Sequence, residues 1–264
     1  MPDFLQKIVA HKRQEIAAAE ARMPLAALQP RALARRDYRG FAAALAPAHR
    51  VHVIAEIKRA SPSHGDIGVG LNPAALAQAY QAGGASALSV LTDHAFFKGS
   101  AEDLAAARAA TTLPVLRKEF ILDQYQIYET AAMDADAILL IARILTDEEL
   151  KALYWLARDL GLDVLVEIHN EAEAERANRL GARLVEINNR DLTKFDTDVT
   201  RARHVAAALH PDSLAVAASG ISTAAEVHNT VAAGVTRFLV GEALVCAADP
   251  AAFLRCLIAA GGAT

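Results

Sequence analysis

The sequence predicts an α/β fold, a (β/α)8 TIM barrel with an N-terminal helical extension, on three observations. From about Val51 onward, short apolar runs alternate with alanine-rich helical patterns, and eight such pairs follow one another. The runs are almost continuously apolar, as parallel strands buried on both faces are. The chain has 264 residues, and single barrels of this kind commonly occupy about 250. Closure into a barrel explains eight repeats better than an open doubly wound sheet does. No dinucleotide-binding GxGxxG follows the first strand, since Gly68-Val69-Gly70 comes too late and lacks the third glycine.

The strand candidates are Val51 to Ile57, Ala87 to Leu91, Pro114 to Leu116, Ala137 to Ile141, Asp163 to Val166, Leu184 to Ile187, Leu214 to Ala217 and Phe238 to Val240. Helical segments fall between and after them, near Pro73 to Gln81, Ala101 to Ala109, Gln124 to Met133, Asp147 to Leu160, Glu171 to Leu180, Val199 to Leu209, Thr223 to Ala232 and Pro250 to Ala259. Gly83, Gly161, Gly181 and Gly234 follow helical stretches, where a left-handed cap costs glycine least. Thr146 with Glu149 three residues on reads as a capping box. Ahead of the repeat, Phe4 to Ala21 reads as an amphipathic helix and Leu25 to Leu33 as a second, parted by Pro24. The expected organisation is one barrel domain over residues 1–264, with residues 1–50 as the extension. Whether that extension covers the barrel floor or leans over its mouth is open at this stage.

The chain is 53% hydrophobic with a net charge of -4, which weighs against a general nucleic-acid or membrane-surface role. A local basic site for an anionic small molecule remains compatible with it. Cys246 and Cys256 have no CxxC or histidine partner pattern and read as buried or indifferent thiols. The N-terminus lacks the apolar core of a signal peptide, and no apolar run is long enough to span a bilayer. The expectation is a soluble cytoplasmic protein.

In such barrels chemistry gathers at the carboxyl ends of the strands and in the loops that follow. Strand one ends with Glu56 and Lys58, then Ser61-Pro62-Ser63. Side-chain alternation points Glu56 and Lys58 to the same side, where a charged pair is costly unless it has a partner or a task. Taken alone, it reads equally as a structural ion pair. The later strands repeat the pattern. Thr92 to Ser100 follows strand two, Arg117-Lys118-Glu119-Phe120 strand three, Glu167 strand five, and Asn188-Asn189-Arg190-Asp191 strand six. Lys98 and Asp191 also read as solvated loop charges, and Asn188 as a turn cap. Strands seven and eight end in Ser219-Gly220 and Gly241-Glu242, the recurrent phosphate position of these barrels, where backbone N–H groups face an anion. Glu242 sits awkwardly there, because a carboxylate repels a phosphate.

With these residues assembled, the chain resembles the indole-3-glycerol phosphate synthases. The resemblance is carried by Ala55-Glu56-Ile57-Lys58-Arg59-Ala60-Ser61-Pro62-Ser63, Phe96-Phe97-Lys98-Gly99-Ser100, Leu116-Arg117-Lys118-Glu119-Phe120-Ile121, Val166-Glu167-Ile168, Asn188-Asn189-Arg190-Asp191-Leu192, Ser219-Gly220-Ile221 and Leu239-Val240-Gly241-Glu242. It implies a carboxy-lyase that converts 1-(2-carboxyphenylamino)-1-deoxyribulose 5-phosphate to indole-3-glycerol phosphate, carbon dioxide and water, with no metal and no cofactor. It further implies Lys118 as general acid and Glu167 as general base. Glu56 and Lys58 would position substrate and tune the site, while Asn188 and Arg190 would hold the reacting groups and Glu56. Ser219, Gly220, Gly241 and Glu242 match the phosphate-binding positions, with Lys58 near the same anion. Ser61 and Pro62 match the loop near the substrate carboxylate, and Phe97, Phe120 and Leu139 the apolar wall around the aromatic ring. The expected partner is this phosphorylated small molecule, with no nucleic acid and no membrane. The expected protein is a monomer, open to association with other tryptophan-pathway enzymes.

The residue types suit that chemistry independently. A lysine can protonate the carbonyl oxygen as the ring closes, and a glutamate can take a proton later. A substrate carrying phosphate and carboxylate calls for more cations than anions where it binds. Three positions depart from the family pattern: His64 replaces the usual lysine, Glu186 the usual glycine, and Ala218 the usual glutamate before Ser-Gly-Ile. Glu186 shares a strand face with Asn188, so it either crowds the site or replaces the charge missing at Ala218. Two rival functions stand beside the synthase. One is a related enzyme, such as phosphoribosylanthranilate isomerase, which wants a Cys/Asp pair, or a divergent paralogue. The other is a non-catalytic phosphate-ligand-binding barrel.

Overall fold

The computed structural model describes residues 3–47, 50–61, 65–68, 70–191, 196–197 and 201–262. Eight parallel strands close a barrel: β1 (His52–Ile57), β2 (Ala87–Leu91), β3 (Val115–Lys118), β4 (Ala137–Ile141), β5 (Asp163–Ile168), β6 (Leu184–Asn188), β7 (Leu214–Ala218) and β8 (Arg237–Val240). Each strand pairs with its neighbours in sequence, and β8 returns to β1 through His52↔Arg237 and Ala55↔Val240. The eight predicted strands are thus all present. Four of them run further at their carboxyl ends than expected, because Lys118, Glu167, Asn188 and Ala218 belong to strands rather than to loops. Polar side chains there face the barrel mouth, so their polarity marks the mouth and not the end of the strand.

Helices connect the strands on the outside, and their ends follow local capping chemistry. The Thr146–Glu149 capping box opens α7 (Asp147–Asp159) as expected, and Thr223 with Glu226 forms another that the sequence reading passed over, opening α10 (Ala224–Ala232). Of the four glycines, Gly161, Gly181 and Gly234 have positive φ beyond their helices, whereas Gly83 is the last residue of its helix and Gly84, at φ 94°, takes the left-handed cap. Elements without a periodic signature went unpredicted. They are the five-residue α3 (Phe41–Leu45), a one-turn helix α11 (Glu242–Val245), a 3-10 turn at Ala142–Ile144, and two short strand pairs, Ala60–Ser61 with Gly65–Asp66 and Arg190–Asp191 with Asp196–Thr197.

The N-terminal extension serves both ends of the barrel. Helix α1 (Asp3–Arg22) lies over the mouth, burying Leu5, Ile8 and Val9. Its buried Lys12 forms ion pairs with Asp93 at 2.8 Å and Glu119 at 3.0 Å, both just past strand ends. Helix α2 (Leu25–Ala34) runs down the outside, where Leu28 packs on Tyr125 and Ala132 of α6 (Gln124–Ala132). The chain then crosses the floor, where Phe41 and Leu45 of α3 are fully buried. There the Ala42 N–H donates to Asp163 at the start of β5 (2.8 Å), and Arg237 at the start of β8 donates to the Leu45 carbonyl (2.7 Å).

Asp136 anchors this crossing. Its fully buried carboxylate accepts from Arg35 (2.8 Å), from the Arg39 N–H (3.0 Å) and from the Val115 N–H (2.9 Å). Removing one partner of a buried pair strands the other charge and typically costs about 3–5 kcal/mol. Asp136→Ala is therefore expected to lower the unfolding free energy by roughly that amount in a urea titration. A loss below about 1 kcal/mol would mean that the crossing is held by its apolar contacts instead.

Candidate active site

Barrel closure gathers the predicted polar residues around one cavity of ≈ 390 Å³ at the carboxyl ends of the strands. Glu56 and Lys58 project into it together, with Lys58 Nζ 3.2 Å from Glu56 Oε1. The Ser89 hydroxyl, directly across the β1–β2 register, donates to the other Glu56 oxygen at 3.4 Å. Lys118 ends β3 on the far side. Its Nζ donates to both oxygens of Glu186, at 2.7 and 3.0 Å, and to Glu167 Oε2 at 3.4 Å. The Asn188 amide donates to Glu167 Oε1 at 3.1 Å.

The charges of this cluster are mutually dependent. Glu167 and Glu186 are register partners on β5 and β6, and like charges side by side repel. The Lys118 ammonium between them offsets that repulsion. Burial alone would depress the Lys118 pKa, but Glu186, Glu167 and Glu56 together hold it above its ordinary value. Glu167 is raised by burial, yet Lys118, His169 and the Asn188 hydrogen bond bring it below the usual carboxylate value. Glu186 is pushed up to about 7, chiefly by burial, with the nearby Glu167 and Glu56 charges adding to it and Lys118 opposing.

An apolar wall faces these charges. Phe97 and Phe120 stand with ring centroids 6.1 Å apart, tilted by 38°, and Leu139 rises from β4 beside them. Asp93 fixes the loop carrying Phe97, accepting from the Phe96 and Phe97 N–H groups at 2.7 and 3.2 Å while Lys12 holds its other oxygen. At the opposite rim, Ser219 and Gly220 follow β7 with φ of 67° and 76°, and Gly241 opens helix α11 after β8. Ser61 and Glu242 also line the cavity. Pro62 lies outside the described residues, as does the neighbouring departure His64. The backbone of Arg190 forms a short strand, and its side chain lies outside the described residues.

Several expectations change. Among the described lining residues, Glu56, Glu119, Glu167, Glu186 and Glu242 outnumber Lys58 and Lys118, so the cavity does not carry the excess of cations that the substrate argument called for. Glu119 is matched by Lys12 from outside the cavity, which leaves the other carboxylates to be balanced within it. Glu186 does not merely crowd the site, because it is the carboxylate nearest to Lys118. Arg117 faces away from the cavity and bonds Thr130 and Glu129 of α6, a structural role. Lys98 pairs with Asp66 in an exposed contact, as a solvated loop charge does. Both cysteines are exposed rather than buried, and Cys246 reaches the cavity rim.

Two groups escaped the sequence reading. Phe4, Leu5 and Ile8 of α1 line the cavity, a placement that local periodicity cannot reveal. His169 is buried behind Glu167, with Nε2 3.4 Å from Glu167 Oε1 and Nδ1 3.3 Å from Glu173 Oε2. Its spacing of two from Glu167 was the available signal. Glu173 is raised by burial, but His169 and Arg143 bring it down to about 2.

Comparison with known proteins accords with this arrangement. The family model described as "Indole-3-glycerol phosphate synthase" matches residues 5–257. The chain belongs to the indole-3-glycerol phosphate synthase family. It is 51% identical to the indole-3-glycerol phosphate synthase of Desulfosudis oleivorans, over 98% of this chain and 99% of that one. It is 49% identical to that of Chromobacterium violaceum, over 95% and 96% of the two chains. The solved structure of thiamine phosphate pyrophosphorylase from Pyrococcus furiosus superposes with a TM-score of 0.60 over 80% of this chain and 94% of that one. At 16% identity that likeness is one of fold alone.

In this synthase-family site, Gly241 is required by close approach. A Cβ there would stand 2.5 Å from Glu56 Oε1 and 3.3 Å from Glu56 Cβ. Gly241→Ala is therefore expected to push Glu56 off Lys58 and to lower kcat/KM by about tenfold, with little change in thermal midpoint. Unchanged steady-state kinetics would show that the Glu56 position is not critical.

Proposed function

We propose that this protein is an indole-3-glycerol phosphate synthase in activity as well as in family, with Lys118 as general acid and Glu167 as general base. The observation that carries this reading is the Lys118 ammonium held between two carboxylates in a cavity that Phe97, Phe120 and Leu139 also line. The cavity volume falls in the range of about 300–1,000 Å³ that suits a small-molecule ligand.

The substrate's aromatic ring rests between Phe97, Phe120 and Leu139. Its phosphate takes backbone N–H groups at Ser219-Gly220 and Gly241-Glu242, and its carboxylate lies toward Ser61. Attack of the ring carbon on the carbonyl makes a carbon–carbon bond, and Lys118 protonates the oxygen as its charge develops. Loss of carbon dioxide restores the aromatic ring. The hydroxyl then leaves as water after protonation, and Glu167 removes the remaining proton. Glu56 and Lys58 orient the sugar chain, while Asn188 aims Glu167 through its 3.1 Å hydrogen bond. Water-excluding contacts come from the aromatic wall and from Phe4, Leu5 and Ile8 of the extension. The isomerase alternative is weaker, because its cysteine has no aspartate partner among the described cavity residues.

The test is direct. Purified protein supplied with 1-(2-carboxyphenylamino)-1-deoxyribulose 5-phosphate is expected to generate indole fluorescence. Binding without turnover would support the non-catalytic barrel instead. Lys118→Ala is expected to reduce kcat by about 10²–10⁴-fold with the fold retained by circular dichroism. A near-normal rate in that variant would overturn the role of Lys118 while leaving the activity in place.

A further inference from the structure

The proposed reaction has a proton balance that Lys118 and Glu167 do not close between them. The substrate's carboxylate leaves as neutral carbon dioxide. Its carbonyl oxygen leaves as water and so collects two protons, while the nitrogen and carbon framework returns one to the base. One proton is therefore consumed per turnover, and Lys118, having given its own, must be recharged before the next.

The group placed to do this is Glu186. Both its oxygens lie within hydrogen-bond distance of Lys118 Nζ, at 2.7 and 3.0 Å, closer than Glu167 at 3.4 Å. It is 1% exposed, and Lys118 comes to it from β3 across the barrel rather than from a flanking strand. The charged groups facing it are Lys118 from β3, Glu167 from β5 and Glu56 from β1, with Lys58 beyond Glu56. From β7 its register partner is the neutral Val216, and on its own strand the nearest inward neighbour is Asn188.

We propose that Glu186 is the proton-supplying and positioning partner of Lys118: it takes up a proton when the anionic substrate binds and passes it to Lys118 after Lys118 has protonated the substrate oxygen. This rests on the assignment of Lys118 as the acid. The transfer is balanced, since a neutral carboxyl and a neutral amine become a carboxylate and an ammonium. Burial has already pushed the Glu186 carboxyl up to about 7, and the negative charge of substrate phosphate and carboxylate favours its protonation further. Neutralising Glu186 has a second effect. It removes one of the charges that hold the Lys118 pKa up, and so makes Lys118 a stronger acid when the substrate is in place.

The sign of the pH dependence follows. Turnover requires the protonated form of Glu186 in the substrate complex, so kcat falls as pH rises through its pKa there. Glu186→Gln keeps the shape and one acceptor but carries no transferable proton. Expected are a fall in kcat of about tenfold or more, KM little altered, and loss of that basic limb. Glu186→Asp is expected to restore part of the limb. An E186Q enzyme with wild-type kcat and pH profile would overturn the inference, and so would a uniform loss at every pH with the limb intact, which marks a merely structural role. A second measurement is independent of that variant. Calorimetric titration of the wild-type enzyme with the carbonyl-reduced substrate, in buffers of different ionisation enthalpy near pH 7.5, is expected to show net proton uptake, at most about three quarters of a proton per site because Glu186 is already partly protonated there. Binding with no uptake would overturn it too. Failure here leaves the proposed function standing if the wild type turns over and Lys118→Ala does not. A wild type without turnover fails that function instead.

Discussion

Closing eight parallel strands on themselves forces every strand's carboxyl end onto one rim, with alternate side chains facing inward. The chemistry of this protein follows from that constraint. Residues scattered from Glu56 to Glu242 meet around one cavity, and their relations are set by register. Glu56 faces Ser89, Glu167 faces Glu186, and Ala218 faces Asn188 across adjacent strands. Two carboxylates side by side in a buried position are not sustainable unaided, and the ammonium of Lys118 from the opposite side resolves the conflict. Such a cluster contributes little to net stability, because the desolvation of its members offsets their attraction. What it does is hold the Lys118 ammonium and the two carboxylates in fixed opposition.

Stability resides elsewhere, in the apolar strands, their helical cover and the ion network at the floor. The N-terminal extension joins the two ends. Through Arg35 it docks on Asp136 beneath the barrel, and through Lys12 it docks on Asp93 and Glu119 at the mouth. Glu119 follows Lys118 directly, and Asp93 holds the loop bearing Phe97. One helix thus braces both the Lys118 segment and the aromatic wall while its own Phe4, Leu5 and Ile8 line the cavity. The balance of charge is equally distributed. Lys12 matches Glu119 from outside, and within the cavity burial pushes Glu186 up to about 7.

The depth of Glu186 in the barrel is set by register. On β6, Glu186 has Val216 of β7 as its backbone register partner, two residues before Ala218 at the strand end. Glu186 therefore stands deeper in the barrel than the rim position of Ala218. That deeper position is what brings both oxygens of Glu186 onto Lys118.

Much of this was legible in the chain alone. Near-continuous apolar runs located eight strands, a capping box located one helix start and glycines several helix ends, and polar residues placed repeatedly after apolar runs located the mouth and most of its lining. These signals are local, arising from the backbone's own periodicity and from which side chains tolerate burial. Four strand ends were drawn too short, three of them because polarity was read as loop, and α3 and α11 were missed because elements of five and four residues carry no period. What the sequence by itself determined was the repeat, the identity of the acid and base candidates, and the rim on which they stand. Only the tertiary structure decided that Lys118 takes Glu186, 68 residues away, as its nearest partner, and that one extension spans both mouth and floor. Those relations depend on register and closure, which place residues distant in the chain at hydrogen-bond range, and no local pattern encodes such distances.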